Sequence, residues 1–256
     1  MLAEERKNLI EEKINQTGVV KVSELSKYLK ATEATIRRDL EELQLENKLK
    51  RTHGGAISIN PVNENHMPAQ DQIKCLKEKQ AIAQKAYEYI NDFDTILFDG
   101  SSTVLELCKL VAKGDKKGII VVTNSLGVAN VLSNKKDITV ITIGGEMRYA
   151  INSTVGQFAE RVVKDLRVEK TFMGVNGIDA SYGYSITFFE EASLKKLMLK
   201  NAKETFVLAD HTKFGETYLA KVADFNGGVH NLVTDKLVKD FDYEFIKENV
   251  NLIVAG

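Results

Sequence analysis

Two short stretches of the chain combine residue types and spacings that could do chemistry. The first is 32–43, Thr-Glu-Ala-Thr-Ile-Arg-Arg-Asp-Leu-Glu-Glu-Leu. Thr32 suits a helix N-cap, because its hydroxyl can accept a hydrogen bond from an early backbone N–H. Ile36, Leu40 and Leu43 fall at i, i+4 and i+7 on one helical face, with Ala34, Thr35, Arg37, Arg38 and Glu41 spread over the other side. A helix held from behind, with small and basic residues in front, fits the DNA major groove. There a guanidinium forks onto guanine O6/N7 and a threonine methyl touches thymine. Arg37, closer to the edge of the apolar stripe, also suits a phosphate contact. The plainer reading of two arginines on one helix is a solvated charged face.

The second stretch is 99–103, Asp-Gly-Ser-Ser-Thr, between a short apolar run and a helical pattern. Backbone N–H groups at a helix start, the helix dipole and the hydroxyls of Ser101, Ser102 and Thr103 can all address one anion, so this turn suits a phosphate. An ordinary Ser/Thr cap after a strand is the alternative. Other polar turns stand where further strands should end: Thr123-Asn124-Ser125, Gly144-Gly145, Asn176-Gly177-Ile178-Asp179, then Asp210 and Lys213.

Each stretch needs a scaffold. Around the first, a helix is predicted over 3–15 with Leu9, Ile10 and Ile14 inward, then extended chain over 19–22. Ser23 offers the N-cap of a second helix whose core side is Leu25, Tyr28 and Leu29, and 30–32 is a turn of helix-turn-helix length. The third helix ends near Glu46-Asn47. A hairpin follows, 48–52 and 56–59 joined through His53-Gly54-Gly55, whose glycines should supply positive φ. Three helices and a hairpin make a winged helix-turn-helix over 1–59, with Lys50, Arg51 and His53 adding charge on the wing. Both prolines, Pro61 and Pro68, fall in 60–77, which reads as a linker.

From 78 the pattern alternates. Strands are predicted at 95–99, 119–123, 138–143, 170–175, 205–209, 232–234 and 252–254, and helices at 78–91, 103–112, 126–133, 156–166, 189–202 and 236–248. Short β-branched runs alternating with amphipathic helices indicate an α/β domain with a mostly parallel sheet over 78–256. Ligands of such sheets settle beyond the carboxyl ends of the strands, which is where the polar turns lie.

Composition limits the alternatives. The 256 residues carry 35 Lys+Arg and 36 Asp+Glu, net −1, with 43% hydrophobic residues, ordinary for a soluble globular protein. Residues 1–59 hold 11 basic and 10 acidic groups, 60–77 two of each, and 78–256 22 and 24. A DNA-binding surface must therefore be a local patch, with acidic residues expected to turn away from it. No apolar run approaches a membrane span, and the N-terminus shows no signal-peptide core. Cys75 and Cys108 read as free thiols in a reducing cytoplasm, the four histidines stand apart, and neither a metal nor a cofactor is expected.

The motifs carry a resemblance. Ser23-Glu24-Leu25, Thr35-Ile36-Arg37-Arg38-Asp39-Leu40 and Arg51-Thr52-His53-Gly54-Gly55-Ala56 resemble the DNA-binding domain of the DeoR family of bacterial transcription regulators. Asp99–Thr103 together with Thr123-Asn124-Ser125, Gly144-Gly145, 174–179, Glu191 with Lys195, and Asp210 with Lys213-Phe214-Gly215 resembles the sensor domain of that family, whose fold is similar to ribose-5-phosphate isomerase. The resemblance implies that Thr35, Arg37 and Arg38 enter the major groove while Lys50, Arg51 and His53 of the wing meet the DNA backbone. It implies a phosphorylated sugar as effector, its phosphate held by Gly100, Ser101, Ser102 and Thr103 and its sugar lined by Asp99, Asn124, Ser125, Gly177, Glu191, Lys195, Asp210 and Lys213. Lys195 also reads as an exposed i,i+4 ion pair with Glu191, and Lys213 as a surface lysine.

The expected function is a cytoplasmic, sequence-specific repressor of a carbohydrate operon, working as a homodimer or homotetramer on operator DNA. A sugar-phosphate isomerase with a DNA-binding domain is the alternative. Its acid and base would have to be Asp179, Glu191 and Lys195, since Asn176 stands where the sensor family often has Asp and an amide is no base. The segment 182–189, Tyr-Gly-Tyr-Ser-Ile-Thr-Phe-Phe, reads equally as a pocket lid or as dimer core.

Overall fold

The computed structural model describes residues 3–17, 19–46, 48–52, 54–58, 74–239 and 241–256, which fall into two compact units divided between Met67 and Pro68. In the first unit, α1 (Ala3–Thr17), α2 (Val22–Leu29) and α3 (Glu33–Leu45) accompany a small antiparallel sheet of β1 (Val19–Lys21), β2 (Leu49–Thr52) and β3 (Gly55–Ser58), ordered β1-β3-β2. Ile10, Ile14, Val20, Leu25, Ile36, Leu40, Leu43, Leu49 and Ala56 form one buried cluster, so the apolar stripe of α3 faces inward.

Three expectations for this unit change. The cap of α2 is Lys21, with no side-chain bond, and Ser23 lies inside the first turn. The strand hands over to the helix directly: Val22 N–H donates to the Gly54 carbonyl at 2.9 Å, so an otherwise orphaned donor is met by backbone. Starting two residues early puts Val22 on the core side with Leu25 and Leu29. It leaves Tyr28 60% exposed, with the Lys13 ammonium 5.0 Å from its ring centre. Finally, neither wing glycine has positive φ. Gly55 is required by close approach, because a Cβ there would lie 1.8 Å from the Val20 carbonyl oxygen of the adjoining strand.

The second unit opens with α4 (Leu76–Tyr87), entered through Cys75 at φ 52°. The helix starts before the predicted 78 and stops short of 91, so it takes the last two residues of the expected linker. Residues 60–73 of that linker, and Ile59 at the end of the predicted hairpin, lie outside the described residues.

All seven predicted strands are present as one parallel sheet. These are β4 (Thr95–Phe98), β5 (Ile120–Thr123), β6 (Thr139–Thr142), β9 (Val168–Gly174), β12 (Ala202–Leu208), β14 (Asn231–Thr234) and β15 (Asn251–Val254), ordered β15-β14-β12-β9-β4-β5-β6. Successive side chains serve opposite layers, as a pleated strand buried on both faces demands. Ile96, Phe98, Val121, Phe172, Phe206 and Val233 pack with α4, α5 (Ser102–Lys113) and α6 (Leu126–Leu132). Leu97, Val122, Met173, Val207 and Leu232 pack on the other face with α7 (Gln157–Lys164), α8 (Phe189–Asn201) and α9 (Glu244–Asn249).

The predicted helix over 236–248 shrinks to α9, with Tyr243 buried and packed against Phe214 and Phe241. Two antiparallel elements were not foreseen. One is the hairpin β7 (Glu146–Arg148) and β8 (Ser153–Val155); the other is a three-stranded sheet of β10 (Gly177–Asp179), β11 (Gly183–Ile186) and β13 (Ala220–Ala223). Within the aromatic segment 182–189, β11 is fully buried, with Tyr184 edge-on to Phe225, whereas Phe189 at the start of α8 is 63% exposed.

Candidate functional site

In the first unit the candidate nucleic-acid surface is the outer face of α3 with the β2–β3 wing. Thr32 caps α3, its Oγ1 accepting from Thr35 N–H at 3.2 Å, and its hydroxyl lies 2.9 Å from the Thr35 hydroxyl. Arg37 and Arg38 are exposed. Each is joined within the helix to an acidic neighbour, Arg37 to Glu33 at 3.0 Å and Arg38 to Glu42 at 3.3 Å. Arg51 in β2 reaches across to Glu41 of α3, and its backbone N–H donates to Gln44 Oε1 at 2.9 Å. The wing is thereby tied to the helix that it flanks. The expectation that acidic residues turn away from the patch is overturned: Glu33, Glu41 and Glu42 stand among the arginines. Lys50 lies in β2 opposite Ile57; His53 lies outside the described residues.

Behind this face sits a contact the sequence reading missed. Asp39 is buried and receives a two-pronged bond from Arg6 of α1, Nε at 2.6 Å and Nη2 at 2.9 Å. A carboxylate on the core side of a helix that otherwise buries only Ile36, Leu40 and Leu43 was the available signal.

In the second unit the strand order puts β5 and β6 on one side of β4, and β9, β12, β14 and β15 on the other. The chain therefore reverses its direction of winding between β4 and β9, the place where open α/β sheets leave a crevice for ligands. Asp99 follows β4 there and is 2% exposed. One carboxylate oxygen accepts from Ser101 N–H and the other from Gly174 N–H at the end of β9, both at 2.9 Å. The Lys195 ammonium of α8 bonds the same Asp99 carboxylate, donates to the Gly174 carbonyl at 3.0 Å and lies 3.4 Å from Glu191. Lys195 is thus not an exposed helix pair: it is 2% exposed and closes the floor of the crevice. Burial works against its charge, but Asp99 and Glu191 outweigh this and hold its pKa above the ordinary lysine value. Burial pushes Glu191 up, with Lys195 partly offsetting the effect.

Above that floor stands the start of α5. Ser101 is its N-cap, its Oγ accepting from Val104 N–H at 3.3 Å. Ser102 is half-buried, whereas Thr103 is buried, so the three hydroxyls do not share one direction. Gly100 and Gly174 are needed for close packing. A Cβ on Gly100 would lie 2.0 Å from Ser153 Oγ, and one on Gly174 would lie 2.5 Å from the Ser101 Cβ. Gly177 has a similar role inside β10, where a Cβ would meet the Glu216 carbonyl at 2.2 Å.

At the end of β5, Asn124 donates through Nδ2 to the Thr154 carbonyl at 2.8 Å, while its buried Oδ1 has no partner among the described residues. Ser125 caps α6. Asp210, beyond β12, is buried and caps the short turn His211–Lys213 through Thr212. Lys213 is half-exposed.

The structure adds residues that the sequence reading passed over. Arg148 of β7 lies 4.2 Å above the Phe188 ring and pairs with Glu190 at 3.0 Å. His211 Nδ1 lies 2.8 Å from Asp235, whose other oxygen accepts from His211 N–H. Asp179, one acid–base candidate, instead organises its own hairpin by accepting from Ser181 and Tyr182, bonds that hold its pKa down, the Ser181 hydroxyl first. Both cysteines are free thiols, and burial pushes Cys108 up to about 12. Among the described residues no cluster of His, Cys, Asp or Glu could hold a metal ion, and no helix is long and apolar enough to cross a membrane.

Residues 6–62 match the DeoR-like helix-turn-helix domain, and residues 74–236 match the DeoR C-terminal sensor domain. This chain belongs to the DeoR family of transcription regulators. The uncharacterized HTH-type transcriptional regulator YulB of Bacillus subtilis is 37% identical over 92% of this chain and 90% of its own. The lactose phosphotransferase system repressor of Streptococcus mutans is 36% identical over 84% of this chain and 86% of its own. The transcriptional repressor GlcR of B. subtilis is 30% identical over 100% of this chain and 97% of its own. Among solved structures, ribose 5-phosphate isomerase A from Methanocaldococcus jannaschii matches over 55% of each chain, at 15% identity and a TM-score of 0.41, too low to carry chemistry across. Membership of the family makes the first unit a DNA-binding domain and the second a sensor domain.

Proposed function

We propose that this DeoR-family regulator represses a carbohydrate operon and senses a phosphorylated sugar at the β4–β9 crevice. One observation carries the ligand reading. The N-terminus of α5 stands at the point where the sheet reverses, beside an Asp99 whose charge Lys195 already cancels. A phosphate arriving there meets helix-end N–H groups rather than a bare carboxylate. Ser101 and Ser102 with the backbone of Gly100 hold the phosphate, and Thr103 supports the turn from inside. Asn124, Asp210, Lys213 and Glu191 line the sugar, with Ser125 and Gly177 shaping the walls and Asp99 and Lys195 forming the floor. The lactose phosphotransferase system repressors among the relatives support carbohydrate as the class.

On the DNA side, Thr35, Arg37 and Arg38 read the major groove while Lys50, Arg51 and His53 touch the backbone. A homodimer or homotetramer places such heads in successive grooves of operator DNA in the cytoplasm. Residues 60–77 link the heads to sensors spanning 78–256. We read the sensor as a binder and not an isomerase: Lys195 is committed to the buried cluster and Asp179 to its hairpin, so Glu191 on the sugar wall has neither of them as an acid–base partner.

The test begins with an operator duplex selected by this protein from a random library. Candidate sugar phosphates are then added, and both operator retardation and chemical conversion are followed. Release from the duplex without conversion is the expected result; conversion with no effect on the duplex would reverse the assignment. Arg38→Ala should weaken operator binding by about 1–3 kcal/mol if it forks onto guanine, and unchanged affinity would remove Arg38 from the base-reading set.

A further inference from the structure

Every arginine on the DNA-facing surface of the first unit has a carboxylate partner on the same surface. Arg37 pairs with Glu33, Arg51 of the wing with Glu41 of α3, and Arg38 with Glu42, which also meets Lys7 of α1 at 3.4 Å. The pairs differ in kind. Two join neighbours one helical turn apart, a spacing that costs little to satisfy. The third spans ten residues and two elements, and it locks the wing cation onto the reading helix. Glu41 is 63% exposed and Glu33 51%, and the Arg37 partner of Glu33 is itself 56% exposed, so that pair satisfies no buried group. A surface built only to hold DNA would not carry these three anions, because each must leave or rotate before its arginine can meet a phosphate or a base.

We propose that Glu33, Glu41 and Glu42 are specificity-determining residues that keep the reading arginines neutralised against non-cognate DNA. Non-specific binding is almost wholly the release of counterions by free cations. A paired arginine has already lost much of that gain, so random duplex holds the head weakly. Cognate DNA replaces each carboxylate with a guanine edge or a well-placed phosphate, and only there is the exchange favourable. The balance works because exposed ion pairs are weak enough to open. It accounts for a head of nearly zero net charge that belongs to a DNA-binding family. Glu41 has the central part, since opening its bond to Arg51 frees the wing and the helix face together.

The test compares the full chain with E33Q, E41Q, E42Q and the triple variant on two duplexes of equal length, one selected by the wild-type protein and one of random sequence. Anisotropy is read from low to moderate salt. E88Q on the second unit, which removes the same charge from an exposed pair with Lys85, is the control. Each substitution should tighten random-duplex binding by about three- to tenfold and steepen its log–log salt slope by up to about 0.9 per arginine released. The selected duplex should gain less, so the ratio of the two affinities falls, furthest in the triple variant, while E88Q stays like wild type. Thermal unfolding curves that overlay wild type show that the comparison is between folded proteins.

Three results overturn the proposal: unchanged random-duplex affinity and slope, equal tightening on both duplexes, or loss of the selected duplex alone. The last would mean that a carboxylate reads a cytosine amino group. Failure of the wild-type protein to select any duplex is a separate outcome, and it strikes the DNA-reading assignment itself.

Discussion

Both units join cations to carboxylates, in opposite surroundings. In the sensor, Lys195 and Asp99 are shut in beneath the crevice with Glu191 at its edge, and Lys195 also bonds the Gly174 carbonyl. In the head, Arg37–Glu33 and Arg38–Glu42 lie in water, with Arg38 81% exposed. The chemistry is the same and the roles are not. Withdrawn from water, a charge pair has no partner to exchange with, so it fixes architecture and one missing member leaves an uncompensated charge. In water, each partner can be replaced by a phosphate or a base edge at little cost, so the pair tunes binding. Burial, not residue type, decides whether an ion pair is scaffold or switch.

The largest effect that could break this comparison is Lys195→Met. It strands Asp99 beside Glu191 in the interior and should destabilise the sensor by about 3–5 kcal/mol, read as an earlier urea transition in the far-UV signal. A shift no larger than that of a surface lysine would dissolve the contrast. The same site sharpens it by pH. Lys195 has a folded-state pKa above its unfolded value, so its contribution is complete below the ordinary lysine range and is lost as pH rises through the raised value. The wild-type sensor transition should therefore fall at strongly alkaline pH, and the Lys195→Met transition should lack that component.

Next in size is Gly174→Ala. The added methyl group meets the Ser101 Cβ at 2.5 Å and should cost about 1–3 kcal/mol by overpacking. Because Ser101 caps α5, sugar-phosphate affinity measured by calorimetry should drop with it. Thr32→Ala removes the cap of α3 and should cost the head about 1 kcal/mol, visible as a lowered first thermal transition. Smallest of all, Glu33→Gln should move head stability by about 0–0.5 kcal/mol, because it opens a pair whose two side chains are both more than half exposed. A fall comparable with that of Thr32→Ala would show the exposed pairs to be structural.

Much of the fold was open to reading because its signals are local and periodic. The stripe Ile36, Leu40, Leu43 faces the core, and the seven β-branched runs became the seven strands of one parallel sheet. The misreadings lie where a distant backbone intervenes. Ser23 lost its capping role to the Gly54 carbonyl, and Gly55 proved to be fixed by the Val20 carbonyl rather than by its own φ. The helix over 236–248 shortened around the buried Tyr243. Strand β11 escaped notice because its alternation is hidden when both faces are buried.

The candidate site divides in the same way. Asp99, Ser101 and Asn124 were recognisable at strand ends, since a polar turn after an apolar run is a one-dimensional pattern. That Asp99 and Lys195, 96 residues apart, form one buried pair is not written in either neighbourhood. By itself the sequence determined the seven parallel strands, the two-part organisation and the family, because hydrophobic period, turn residues and linked motifs act over a few neighbours at a time. Only the tertiary structure decided which charges are buried and which stay wet. Solvation of a charge depends on what packs around it from everywhere else in the chain.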